Sequence, residues 1–260
     1  MQVDVWIMLE YRRAWQAKAL NDNTLTALTN SWVETTVAAF AEQGLKARPQ
    51  FIRRPQRSEG ITLLVAQHGK LSGTILDDEQ ALQKLDLVNS ELPTVAGPQY
   101  FVCTNAKRDL CCARFGRPTF AALHKQLPER AWQTTHVGGH RYAPNVLALP
   151  QANMYGRVMA DDVPNFLNAT ENNQVATEFL RGNTSYSKLA QTAEHHLLAL
   201  DSAQAAELKL LRESDSSATF ATATGVKEVS VKPDSTALKV LPSCGKSEEL
   251  FHPLVATVQE

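Results

Sequence analysis

The chain has 260 residues, 26 Lys plus Arg against 27 Asp plus Glu, and a formal net charge of −1. That near balance leaves no long-range field of the kind that attracts nucleic acid or an anionic membrane, so neither is expected as a partner. The opening run MQVDVWIMLEYRR is interrupted by Asp4 and has no basic leader, and no later stretch approaches the roughly 18 apolar residues of a membrane span, so a cytoplasmic protein is expected.

In chain order, residues 3–9 (VDVWIML) read as a buried strand and 28–44 as an amphipathic helix ending at Gly44. ARPQFIRR, ITLLVAQH and GTILDD are β-rich stretches divided by turn formers, and DEQALQKLDLVNSEL reads as a closing helix. After the PTVAGP segment between Pro93 and Pro98 the order restarts: QYFVCTN as strand, RPTFAALHKQL as a helix opened by Pro118, then AWQTTHV, NVLALP and MYGRVM as strands and VPNFLNATENN as a helix.

The repeated order predicts an α/β fold of two thioredoxin-like lobes, residues 1–97 and 98–200, with residues 201–260 as a small C-terminal β addition packed on them; the alternative is one continuous sheet. From about residue 190 the chain reads as a helical stretch, QTAEHHLLALDSAQAAEL, and then as the β-like segments SATFATAT and KEVSVKP. His195 and His196, about 100° apart on that helix, are not placed to share a metal.

Only four cysteines are present, and three crowd into positions 103 to 112. That distribution is wrong for a disulfide framework and favours metal or redox chemistry. Cys103 and Cys112, with eight residues between them, precede His136 and His140 in the run HVGGH, whose glycines permit backbone conformations closed to other residues and a close approach of both rings to one metal. Thiolates hold iron tightly, while neutral imidazoles leave the centre less negative. Two thiolates and two imidazoles are equally an ordinary zinc set, although classical zinc fingers space their cysteines more closely. Cys111 reads as a thiol beside the true ligand, and Cys244 in LPSCGKSEE as an unpaired thiol outside the site. Without a C-x-x-C, dithiol exchange of the thioredoxin kind is not expected.

The first lobe holds no cysteine and only His68, so its role is structural or partner-facing; Glu10, Tyr11, Arg12 and Arg13 stand where the second lobe carries its cysteine loop and read as a salt-bridged turn. Lys107, Arg108 and Asp109, between the thiols, read as bracing for that loop. No dinucleotide fingerprint or phosphate loop appears, so a bound flavin or NAD is not expected and electrons must come from a partner.

The runs VCTNAKRDLCCARFGRP, THVGGHRYAPNVLALP, MYGRV, LRGN and QTAEHH resemble the sucrase/ferredoxin-like family over most of residues 1 to 200. The resemblance implies a thioredoxin-like ferredoxin lobe whose 2Fe-2S cluster is held by Cys103, Cys112, His136 and His140, with Cys111 outside the ligand set. It also implies a one-electron carrier working with a reductase or an electron acceptor, more a redox module than a stand-alone enzyme. The alternative is a structural zinc module mediating protein interaction. No pair of carboxylates suggests glycoside hydrolysis.

Overall fold

A computed structural model describes residues 2–21, 25–56, 59–201, 208–242 and 246–258. Cys244 lies outside the described residues. The chain is mixed α/β, as the sequence predicts.

The first half runs β1 (Val5–Glu10), α1 (Ala27–Glu42), β2 (Ala47–Arg53), β3 (Ile61–Gln67) and β4 (Lys70–Leu76). The second runs β5 (Gln99–Cys103), α2 (Leu110–Gln126), β6 (Ala131–Thr134), β7 (Asn145–Leu149), β8 (Asn153–Gly156) and α3 (Val163–Glu171). Pairing repeats with the order. β1 runs parallel to β2 and antiparallel to β3, which pairs antiparallel with β4. β5 runs parallel to β6 and antiparallel to β7, which pairs antiparallel with β8. The parallel connections in both halves are made by a helix, α1 or α2, as a crossover of that kind requires.

β2 and β6 then pair antiparallel through Ile52↔Thr134 and Arg53↔Gln133, and the two halves merge into one nine-stranded sheet, β4-β3-β1-β2-β6-β5-β7-β8 closed at its far edge by β9 (Leu180–Asn183). Every residue of β1, β5 and β7 is buried, which is why VWIMLE, QYFVC and NVLAL read as near-continuous apolar runs rather than alternating ones. On one face, α1 packs with Ile7, Leu9, Phe51 and Leu63 in the first half, and α2 and α3 with Tyr100, Val102, Val146 and Tyr155 in the second. The opposite face forms a single apolar cluster drawn from both halves, including Trp6, Met8, Ile52, Phe101, Trp132 and Met154. Each such side chain contributes about 1.5–3 kcal/mol on burial. Trp6 Nε1 donates to Thr184 Oγ1 at 3.0 Å and the Val3 amide to the Thr184 carbonyl at 2.7 Å, so the start of the chain is fastened to the segment after β9.

Three elements differ from the sequence reading. α2 opens at Leu110, well before Pro118, because the Asp109 carboxylate accepts the Cys111 amide and supplies the N-cap. Cys111 and Cys112 therefore ride on the first turn of a helix and not in a loop. DEQALQKLDLVNSEL forms only a short 3-10 helix, Glu79–Lys84, capped by Asp78. LRGN forms β9, an edge strand too short to show a period.

α4 (Lys188–Leu200) follows, and against its Ala190, Ala193 and Leu197 packs an antiparallel sheet of β10 (Lys209–Glu213), β11 (Ser217–Thr222), β12 (Gly225–Pro233) and β15 (Leu254–Val258). β13 (Leu238–Val240) and β14 (Glu249–Phe251) form a separate pair. Among the described residues no helix is long and apolar enough to cross a membrane.

Candidate metal centre

β5 delivers Cys103 to its C-terminal end, and the first turn of α2 delivers Cys112 beside it; both are fully buried. The approach depends on Gly116. A Cβ there would collide with the Cys103 carbonyl oxygen, so only glycine lets α2 lie this close to the end of β5.

His136 follows β6, and its Nδ1 lies 3.7 Å from Cys103 Sγ and 3.6 Å from Cys112 Sγ. Donor atoms of these three residues lie within 4.8 Å of one another. His140 stands on the far side of the His136 ring. Its Nδ1 is 3.2 Å from His136 Nε2, and the two rings stack at 5.0 Å with 19° between their planes. His140 Nδ1 also lies 3.7 Å from Asp109 Oδ2, so the N-cap of α2 has a second task beside the ligands. The structure thus gathers Cys103, Cys112 and His136 around one point and sets His140 in contact with the third. Cys111 is half-buried, lies outside this group and forms no disulfide among the described residues.

The loop between the histidines is held from outside. Gly138 and Gly139 adopt φ of 95° and 69°, the left-handed region that the sequence reading reserved for them. Arg181 Nη1 donates to the Gly138 carbonyl at 3.2 Å and to Asn145 Oδ1 at 2.7 Å, and Asn145 Nδ2 donates to the Gly139 carbonyl at 3.1 Å. The Gly139 carbonyl also accepts the Tyr142 amide at 2.9 Å, so side chains and backbone together fix the turn.

Electrostatics divide the two thiols. Cys103 is held well below the ordinary thiol range by a hydrogen bond from Cys112, against the opposing effect of burial and with help from His136. Cys112 is pushed up, first by donating that bond and then by burial. The two thiols are thus unequal, with Cys103 the one whose thiolate is favoured. His140 is shifted down by burial and by neighbouring His136.

Arg48 and Arg181 were not singled out from the sequence. Arg48, on β2 of the first half, donates to the His136 carbonyl. Arg181 had a trace in the run LRGN, but a lone Arg beside a glycine does not reveal a partner 43 residues earlier. The Glu10 to Arg13 turn is the salt-bridged one expected: Glu10 Oε1 lies 2.7 Å from Arg12 Nε and Oε2 accepts the Thr62 amide. Between the thiols, Lys107 Nζ donates to Gln16 Oε1 at 2.8 Å and Asn105 Nδ2 to the Gln16 carbonyl at 2.9 Å, tying the cysteine segment to the first half.

The donor set fits a metal in two ways. Metal–sulfur and metal–nitrogen bonds of about 2.3 and 2.05 Å at a tetrahedral angle put S and N about 3.6 Å apart, which the two spacings from His136 match. A stacked imidazole pair set beside a thiol pair is also the arrangement from which each pair can serve a different iron.

A family model described as Sucrase/ferredoxin-like matches residues 1–182, which include all of Cys103, Cys112, His136, His140 and Arg181. No curated protein and no solved structure matches the chain.

Proposed function

Since the chain belongs to the sucrase/ferredoxin-like family, we propose that it holds a 2Fe-2S cluster on Cys103, Cys112, His136 and His140 and carries single electrons between partner proteins. The observation that carries this reading is the gathering of two thiols and His136 around one point, with the His140 imidazole stacked against that of His136. On the same reading residues 1–97 and 98–200 are two thioredoxin-like lobes, a view supported by their identical strand order and pairing sense.

The cluster supplies reversible one-electron chemistry when bound. Cys103 and Cys112 contribute two negative charges and the imidazoles none, so the oxidised centre is neutral where four thiolates would make it −2. Adding an electron is correspondingly easier, and the expected potential lies in the range of about −150 to +300 mV rather than near −400 mV. His140 is partly open to solvent, and the ring nitrogen it does not commit to metal carries a proton that can leave with the electron. A potential that stays flat from mildly acidic to strongly alkaline pH rules out that coupling.

A second reading, a structural zinc site, is favoured by one observation: the spacings of 3.6 and 3.7 Å from His136 Nδ1 to the two sulfurs suit a single tetrahedral ion. Anaerobic purification, metal analysis and visible absorption before and after dithionite separate the two. A red-brown protein with two irons that bleaches supports the cluster; a colourless protein with one zinc replaces it.

A further inference from the structure

Beyond the thiol-imidazole site, a cleft of about 720 Å³ opens between the start of β9, the first turns of α4 and the C-terminal strands β14 and β15. Its size lies within the range of about 300–1,000 Å³ of small-molecule sites. Four cations line it, Arg141, Arg157, Arg181 and Lys188, against one carboxylate, Glu178. Among the described residues none of the four makes an ion pair with a carboxylate.

Three guanidiniums crowd a single ring. The Cζ atoms of Arg181, Arg141 and Arg157 lie 4.7, 4.8 and 6.0 Å from the centroid of Tyr142, and Arg141 also lies 4.6 Å from that of Phe251. Ring faces offset part of the repulsion among like charges but do not neutralise it. Burial, and then the proximity of Arg141, pulls the Arg181 guanidinium down to about 10 against the opposing pull of Tyr142 and Cys103, so it remains charged at neutral pH. A cluster of like charges around one half-buried guanidinium gains from a multiply charged anion, and planar guanidiniums match phosphate oxygens two at a time.

We propose that this cleft binds a nucleotide, with its phosphates on Arg157, Arg181 and Lys188 and its base against Arg141 and Phe251. The phosphates are taken by side chains, which accounts for a chain without a glycine-rich phosphate loop. The cleft also shares a wall with the metal-ligand loop: Arg141 directly follows His140, and Arg181 donates to the Gly138 carbonyl. Occupancy of the cleft therefore bears on how the two histidines are held.

The test is calorimetry on the full chain at low ionic strength, with ADP, inorganic phosphate and adenosine as probes. ADP is expected to bind at least tenfold more tightly than either fragment, and to weaken as salt rises. Arg157 and Lys188 are exposed on the rim. The double variant Arg157→Gln, Lys188→Gln is expected to weaken ADP at least tenfold while melting temperature and metal content stay as in the parent. ADP binding no tighter than phosphate overturns the nucleotide assignment; no binding by any probe, or a double variant that binds like the parent, overturns the site. The titration reads nucleotide and not metal, so its outcome is the same whether iron or zinc occupies the cysteine-histidine centre.

Discussion

Arg48 Nη2 donates to the carbonyl oxygen of His136 at 3.2 Å, a bond that crosses from β2 of the half without cysteines to the ligand loop of the other. The guanidinium lies 5.5 Å from the Trp6 ring; burial lowers its pKa and the charge on Cys103 draws it back up. A fixed cation in that position favours the more negative state of the centre. Replacing it with methionine keeps the stem and removes the charge. Arg48→Met is expected to lower the reduction potential by roughly 50 mV, read by spectroscopic redox titration. An unchanged potential would leave Arg48 a structural tie only.

The ligand assignment makes a contrast between neighbours. Cys112→Ser or Cys103→Ser is expected to abolish bound iron, whereas Cys111→Ala, one residue away but outside the donor group, keeps it. His140→Cys adds a negative ligand. Where iron is retained its potential should fall toward the all-cysteine value of about −400 mV, and a potential unmoved by that exchange speaks against His140 as a ligand.

Close packing of α2 on β5 sets up a steric prediction. Gly116→Ala places a methyl group against the Cys103 carbonyl oxygen, a clash of backbone against Cβ that only a shift of α2 or β5 relieves. A cost of about 1–3 kcal/mol and reduced metal occupancy are expected, measured by denaturant melts and iron content. Unaltered occupancy in a destabilised variant would show that the strain relaxes away from the ligands.

Glu194 yields a pH prediction remote from the metal. Its carboxyl, buried on α4 and accepting the Asn183 amide at 3.0 Å, is raised from 4.5 to about 7, chiefly by burial, which outweighs that hydrogen bond. The folded state then holds a proton that the unfolded state has released, so stability falls as pH rises from about 4.5 through about 7. Glu194→Gln keeps an acceptor and removes the charge. It is expected to raise stability at pH 8 by on the order of 3 kcal/mol and to change little at pH 4, in melts at the two pH values. Equal effects at both would show that Glu194 titrates alike in the folded and unfolded chain.

Much of this was open to inspection in the sequence, for identifiable reasons. Val5 to Glu10, Gln99 to Cys103 and Asn145 to Leu149 are buried on both sides, and such strands announce themselves as apolar runs. Two thiols and two histidines are chemically distinctive, and the glycines of HVGGH marked the turn between the rings. The pairing of β2 with β6 was not legible, because two residue pairs, Ile52↔Thr134 and Arg53↔Gln133, leave no pattern in either strand. Pro118 misled, since Asp109 had already capped the helix. Arg48 and Arg181 act through backbone carbonyls, which every residue has, so nothing at Gly138 or His136 pointed back to them.

The fastening of Trp6 and Val3 to Thr184 bears on how this chain tolerates being cut. A backbone nick in the connection between Leu76 and Gln99 would sever only covalent continuity, leaving the shared apolar face and both tethers in place. Two separately expressed pieces should consequently find each other and reassemble as a stable heterodimer, with Arg48 restored beside its carbonyl by complementation alone.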